Sequence, residues 1–190
     1  MKAILSSTFY FKYGWSWSYR HSASLCIDGN VSHCRQQDTC PISVHLDTCP
    51  EERCTACATH VEKAPWFAID YGTEVMIERV EIINRKSLGH RTRNMDVRVS
   101  DELPTSSTQM FSGGTLLGHF DGPATDDQHI IISGQKGNFS CLLIIFPLTG
   151  EATSGRYVIV QLNAKTNLKF EEVKAFGTLA NTNRKTLNKN

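Results

Sequence analysis

The chain has 190 residues, with 20 Lys and Arg against 19 Asp and Glu, so its formal charge at pH 7 is +1. A chain of this length can bury a core without a metal or disulfide merely to fold, and the near balance of charge lacks the cationic excess that phosphate-backbone binding demands, so nucleic acid is excluded as the expected partner. The longest apolar run, 142–146, stops at Pro147, far short of the roughly 20 residues that span a bilayer, so no transmembrane helix is expected.

At the start, Met1-Lys2-Ala3-Ile4-Leu5 runs directly into Ser6-Ser7-Thr8 without the apolar core of a signal peptide. The expectation is a domain edge or one module of a longer protein, with a protein that is not secreted as the alternative. Six of the seven Cys (Cys26, Cys34, Cys40, Cys49, Cys54 and Cys57) then crowd into one segment, and Cys141 stands alone. That distribution predicts three local disulfides, an oxidising compartment and one free thiol. Zinc held by Cys54-x-x-Cys57-x-x-His60 with Cys49 is the competing reading. The sequons Asn30-Val31-Ser32 and Asn138-Phe139-Ser140 are compatible with secretion.

Helical periodicity is absent, whereas short stretches with apolar residues at every second position recur between Gly, Pro, Asn and Asp clusters. The pattern predicts an all-β fold with strands over 66–71, 75–84, 95–100, 142–146, 156–162 and 168–176. Within 156–162, Tyr157, Ile159 and Gln161 face one way and Val158, Val160 and Leu162 the other, so burial on both sides is expected, as for a central strand of a sandwich. The Cys-rich stretch of about 31–58, broken by Pro41 and Pro50, is predicted to be a stapled surface loop inserted in a single domain covering 1–180. Residues 181–190 are polar and predicted to be a disordered tail.

Four stretches in order carry a resemblance: Ala23-Ser24-Leu25-Cys26-Ile27-Asp28-Gly29-Asn30, then Pro65-Trp66-Phe67-Ala68-Ile69-Asp70-Tyr71-Gly72, then Val80-Glu81-Ile82-Ile83-Asn84-Arg85, and Gly155-Arg156-Tyr157-Val158 leading to Glu172-Val173-Lys174-Ala175-Phe176-Gly177. The chain resembles the F-type lectins, or fucolectins, and more distantly the discoidin-like domains. The resemblance implies a jelly-roll β-sandwich of about eight strands and a calcium-dependent module for fucosylated glycans or glycoproteins, secreted and not an enzyme. It also implies a homo-oligomer or tandem copies, since weak sites gain from avidity, and roles in innate or cell recognition.

In these lectins the sugar site is a His, 24 residues, an Arg, one residue, an Asp, and a further basic residue. Here His60 is followed after 24 residues by Arg85, and Arg91, with Arg93 as the alternative, stands where the second basic residue belongs. Two guanidinium groups and an imidazole supply fixed donors to ring and axial hydroxyl oxygens. An apolar wall for the sugar methyl is expected from Tyr19, Trp15 or Leu88. Two departures stand out: Ser87 replaces the Asp that would orient an Arg, and the adjacent Cys pair that packs against the sugar is absent. The expectation is a guanidinium without its orienting acceptor and weaker binding.

A further family disulfide is missing at both of its positions, Ala58 and Glu171. The resemblance also implies a structural calcium, with carboxylates from Asp28 and Glu172, carbonyls from Leu25, Asn30 and Glu171, and Cys57 where a Ser usually contributes. Asp28-Gly29-Asn30 is otherwise simply a turn. Asp126-Asp127, in a polar loop before His129, joins no recognisable catalytic set. The competing function is a discoidin-like protein- or cell-surface-interaction module whose sugar pocket has degenerated.

Overall fold

The computed structural model describes residues 1–8, 22–29, 56–134 and 152–180, together with the backbone of 10–13 and 17–20. Among these, ten strands form: β1 (Lys2–Leu5), β2 (Tyr10–Tyr13), β3 (Trp17–Arg20), β4 (Cys57–Ala58), β5 (Trp66–Asn84), β6 (Met95–Ser100), β7 (Thr115–Phe120), β8 (His129–Ser133), β9 (Thr153–Leu162) and β10 (Lys169–Leu179). All pairings are antiparallel, and β2 and β3 pair only with each other. No helix among the described residues is long and apolar enough to cross a membrane.

The organising element is β5, which the sequence splits into 66–71 and 75–84 but which runs unbroken for 19 residues. Its first half pairs with β1 and β9, and β9 continues to β6 and β7. Its second half pairs with β10 and β8, and β10 carries β4 on its other side. The register between β5 and β9 shifts from Asp70↔Tyr157 to Val75↔Gly155, and Gly72 takes φ 73 inside that shift. A bulge of this kind bends and twists a strand, so one strand serves both layers of a sandwich. The turn signal at Gly72, a break in the sequence pattern, is a bend in the chain.

Between the layers lies one apolar cluster that includes Phe67, Ile69, Val80, Ile82, Met95, Val97, Val158, Val160, Leu162, Leu168, Phe170 and Val173. β9 alternates as expected: Val158, Val160 and Leu162 enter this core, while Tyr157 and Ile159 join Trp66 and Ala68 in a second cluster. Gln161 is buried on that second face, where its Nε2 donates to the Ala64 carbonyl and its Oε1 accepts the Phe111 amide. Phe170 is wholly buried where β10 meets β4 and β5, and its truncation to Ala should cost about 3–5 kcal/mol.

β6 matches its predicted range, and β9 and β10 extend past theirs. β1, β7 and β8 are further strands that the alternation did not resolve. β8 is a run of three Ile with only two faces of one residue pair to alternate, and β7 is interrupted by Gly118. The predicted strand at 142–146, the 181–190 tail, Cys141, both sequons' Asn residues and most of the Cys-rich segment lie outside the described residues.

One expectation about the Cys-rich segment is corrected. Its end is not surface loop: Cys57 and Ala58 are buried and form β4 against Phe170 and Lys169. Cys57 is bonded to Cys26, with the two Cα atoms 5.3 Å apart. A disulfide sulfur is not a metal ligand, so the zinc set that used Cys57 fails, and the Cys57 side chain cannot replace the Ser of a calcium site.

Candidate functional site

At one end of the sandwich β4 leaves, β10 begins and β5 ends. Thr59 joins two of them, its amide donating to the Leu168 carbonyl at 3.0 Å and its Oγ1 accepting the Leu168 amide at 3.0 Å. His60 follows, exposed, with its amide donating to Ser7 Oγ at 3.0 Å. On the other flank of β10, Asn84 lies opposite Phe170 and is wholly buried. Its Nδ2 donates to the Gly89 and Thr125 carbonyls at 3.2 and 2.7 Å, and its Oδ1 accepts Thr92 Oγ1 at 2.8 Å. A buried amide with its hydrogen bonds satisfied in this way fixes the loop that follows it.

That loop carries the candidate guanidinium groups. Arg85 is only 7% exposed, its Nε donates to the Ser87 carbonyl at 2.5 Å, and its Nη1 is buried without a hydrogen-bond partner among the described residues. Burial, and then the charge of Arg91, pull the Arg85 guanidinium below its ordinary value, while Asp126 and Glu171 act in the opposite direction. The expectation that loss of the motif Asp leaves an arginine unoriented is thus half corrected. The backbone of Ser87 orients Nε, and Nη1 is the buried donor without a partner among the described residues.

Leu88 holds φ 60 and ψ 33, and the turn Gly89–Arg91 begins after it. A bulky side chain in the left-handed region is strained, and it stays there only where its surroundings impose it. Leu88 is 38% exposed. Arg91 is exposed, and its Nη1 donates to Asn167 Oδ1 at 3.3 Å, which ties it to the start of β10. Of the two basic residues left open by the spacing, Arg91 is the one whose charge acts on Arg85. Arg93 sits one turn further on, its backbone against Gly122. His60, Arg85 and Arg91 therefore sit on connections at the same end of the β4-β10-β5 layer. Of the candidates for an apolar wall, Trp15 and the Tyr19 side chain lie outside the described residues.

A second cluster forms further along β10, at Glu172. The short turn Ala23–Cys26 is followed by Asp28 and Gly29, the latter at φ 77, and the Gly29 amide donates to Glu172 Oε2 at 3.1 Å. Glu172 is 2% exposed; burial above all, with Asp28 adding to it, pushes its carboxyl up to about 7, against the opposing pull of Lys174 and the Gly29 amide. The disulfide holds this turn to β4, with Cys26 Sγ 3.2 Å from the Phe170 carbonyl oxygen. Leu25 is half-buried and Glu171 is buried, while Asn30 lies outside the described residues. Among the described residues no three His, Cys, Asp or Glu side chains group as a metal site. A hard-cation site here has two carboxylates and otherwise backbone carbonyls. Asp28 and the buried Glu172 are the two acids here, and Asp28 acts electrostatically on Glu172, the chemistry that a hard cation would neutralise.

Sequence reasoning missed Asn84 and Asp126 as parts of the site. The signal for Asn84 is its place as an amide ending a buried strand, which marks a polar organiser.

The fold is that of the F-type lectins and their discoidin-like relatives. A fucolectin from the serum of striped bass, Morone saxatilis, superimposes with a TM-score of 0.59 at 20% identity over 93% of this chain and 46% of that one. This chain thus spans about half the length of that lectin. The lectin domain of lectinolysin, solved with the Lewis B antigen, gives 0.56 at 21% identity, covering 93% of this chain and 92% of that one. A Streptococcus pneumoniae fucose-binding module gives 0.55 at 17% identity, with 92% of each chain covered. No protein-family profile matches the sequence, and no curated protein matches it.

Proposed function

We propose that the chain is a lectin module, not an enzyme, that binds fucose-type glycans through His60, Arg85 and Arg91 and is stabilised by calcium at Asp28 and Glu172. The observation that carries the reading is Arg85: a guanidinium 7% exposed, gripped at Nε by the Ser87 carbonyl, with a buried Nη1 that has no hydrogen-bond partner among the described residues. An unmet buried donor costs about 1–3 kcal/mol, and a sugar hydroxyl admitted by a small movement of the Arg85 side chain would relieve it. Arg91 and His60 would add donors at either side, so that an axial and an equatorial oxygen are read together. The solved lectins that share this fold include one complexed with Lewis B antigen and one named for fucose binding.

Calcium would be held by the Asp28 and Glu172 carboxylates, with carbonyls of Leu25, Asn30 and Glu171 completing an oxygen shell. When bound, it supplies the positive charge that lets both acids ionise. The chain's own part is to hold the Asp28-Gly29 turn to β4 through the disulfide and to β10 through the Gly29 amide. The Cys26–Cys57 bond also supports residence outside the reducing cytosol. Isolated sites of this kind bind weakly, so a homo-oligomer or tandem modules would supply avidity.

Titration of methyl α-L-fucoside into the calcium-loaded protein, beside a glycan array, tests the reading. Saturable heats that vanish in Arg85→Ala are expected. Equal heats in both proteins, or none in either, would remove this pocket from the account and leave a discoidin-like interaction module.

A further inference from the structure

The connection between β9 and β10 holds both flanks of His60. The Thr166 amide donates to the Glu62 carbonyl at 3.0 Å and the Glu62 amide to the Thr166 carbonyl at 2.9 Å. Leu168 is joined to Thr59 by two bonds of 3.0 Å, one to the Thr59 hydroxyl and one from the Thr59 amide. Asn167 stands between these clamped residues, so its backbone is fixed beside the His60 loop. Its side chain meets the other loop of the site, where Oδ1 accepts Arg91 Nη1 at 3.3 Å. A guanidinium only donates, so the amide must turn its oxygen to Arg91.

The loop that carries Arg91 is itself fixed at the backbone. The Arg91 amide donates to the Leu88 carbonyl at 3.1 Å and the Thr92 amide to the Gly89 carbonyl at 2.9 Å. From the β7–β8 connection, Asp126 Oδ1 accepts the Gly89 amide at 2.6 Å. None of these bonds settles the Arg91 guanidinium, which ends a long, exposed side chain. Ser87 brings no carboxylate, and its carbonyl is taken by Arg85 Nε.

We propose that Asn167 is a positioning residue for Arg91: the β9–β10 connection clamps the His60 loop through its backbone and aims the Arg91 guanidinium through the Asn167 amide oxygen. The sugar site is then built from three connections, β4–β5, β5–β6 and β9–β10. The inference rests on the reading of Arg91 as a sugar-binding group. A donor aimed before the ligand arrives loses less rotamer freedom on binding.

The test uses the full chain, with calcium in the buffer, as wild type, Asn167→Ala and Asn167→Asp. Ala removes the acceptor, whereas Asp keeps an oxygen for Arg91. Three quantities are measured: melting temperature, rotation of the Arg91 guanidinium about Nε–Cζ by NMR in the ligand-free protein, and affinity for methyl α-L-fucoside. Asn167→Ala should melt with wild type, because the bonds of Thr166 and Leu168 remain. Its Arg91 should rotate faster, and it should bind about three- to tenfold more weakly, the ordering cost of one long side chain. Asn167→Asp should return both rotation and affinity to wild-type values or beyond, a rescue that a merely structural role would not give. Unchanged rotation in Asn167→Ala would overturn the proposal. So would an Asn167→Asp variant that restores rotation without affinity, since Asn167 would then be a contact of the sugar itself. If wild type binds no fucoside yet rotation responds and is rescued, the positioning role stands and the lectin reading fails.

Discussion

The carboxylates of Glu171 and Glu172, adjacent on β10, act in different directions: Glu171 acts on the Arg85 guanidinium, and Glu172 accepts the Gly29 amide beside Asp28. Regular alternation would send one of them to the core and one to solvent. The register shift between Phe170 and Glu172 makes Glu171 an extra residue against β5, and both carboxylates end up 1–2% exposed. A β-bulge re-aims side chains in this way at the edge of a site. The candidate sugar and calcium sites therefore share one short stretch of backbone, and disturbance of either should be felt at the other.

Without a cation, Glu172 carries a carboxyl raised from the ordinary 4.5 to about 7, mainly by burial. Between these values the folded protein keeps a proton that the unfolded chain has released, so the contribution of this group to stability is complete below about 4.5 and lost as pH rises through about 7. Calcium needs the carboxylate, so the melting temperature gained on adding calcium should be larger at pH 8 than at pH 5. Thermal melts with calcium or chelator at both pH values measure this. No shift at either pH would remove the metal from the account.

The fold was legible in the sequence because two-sided apolar alternation, as in Val158 to Leu162, has few other causes. Gly72 shows the limit: a glycine that permits a bulge and one that ends a strand look alike until the register of β9 is known. Within the site, the spacing from His60 to Arg85 was readable, whereas Asp126 was not. Its link to Gly89 runs between loops 37 residues apart and leaves no local pattern. The Cys26–Cys57 pairing was likewise one of many that six clustered cysteines allow.

Replacing both Cys26 and Cys57 by Ala should destabilise the protein by about 3–4 kcal/mol, the loop-closure entropy for a separation of about 31 residues. Because Cys26 ends the turn that precedes Asp28, calcium affinity should fall as well. Urea unfolding with an unchanged midpoint would show that the bond does not hold the native state together.

Leu88 pays for its left-handed backbone with roughly 1–2 kcal/mol of strain, which Leu88→Gly relieves at the cost of about 0.5–1 kcal/mol in chain entropy. The variant should melt no lower than wild type. If its exposed side chain forms the apolar wall of the sugar site, the preference for L-fucose over D-arabinose, which lacks only the methyl group, should shrink. Calorimetry with both sugars reads this, and an unaltered preference would assign the wall to another residue.

The sharpest comparison is Arg85→Lys. Lysine retains the charge that offsets Asp126 and Glu171, so the pair of acids is not left uncompensated and the fold should persist. It does not retain the fork. A guanidinium can grip the Ser87 carbonyl through Nε while a second nitrogen stays available, whereas an ammonium is one point charge on a flexible stem. A lysine that reaches the Ser87 carbonyl has no separate, rigidly aimed donor in the place of Nη1. The expected result is a melting temperature close to wild type, with fucoside affinity reduced on the order of 100-fold, about two charge-assisted bonds. A Lys variant that binds as well as wild type would mean that site 85 contributes charge alone, and the argument from the unpartnered Nη1 would have to be given up.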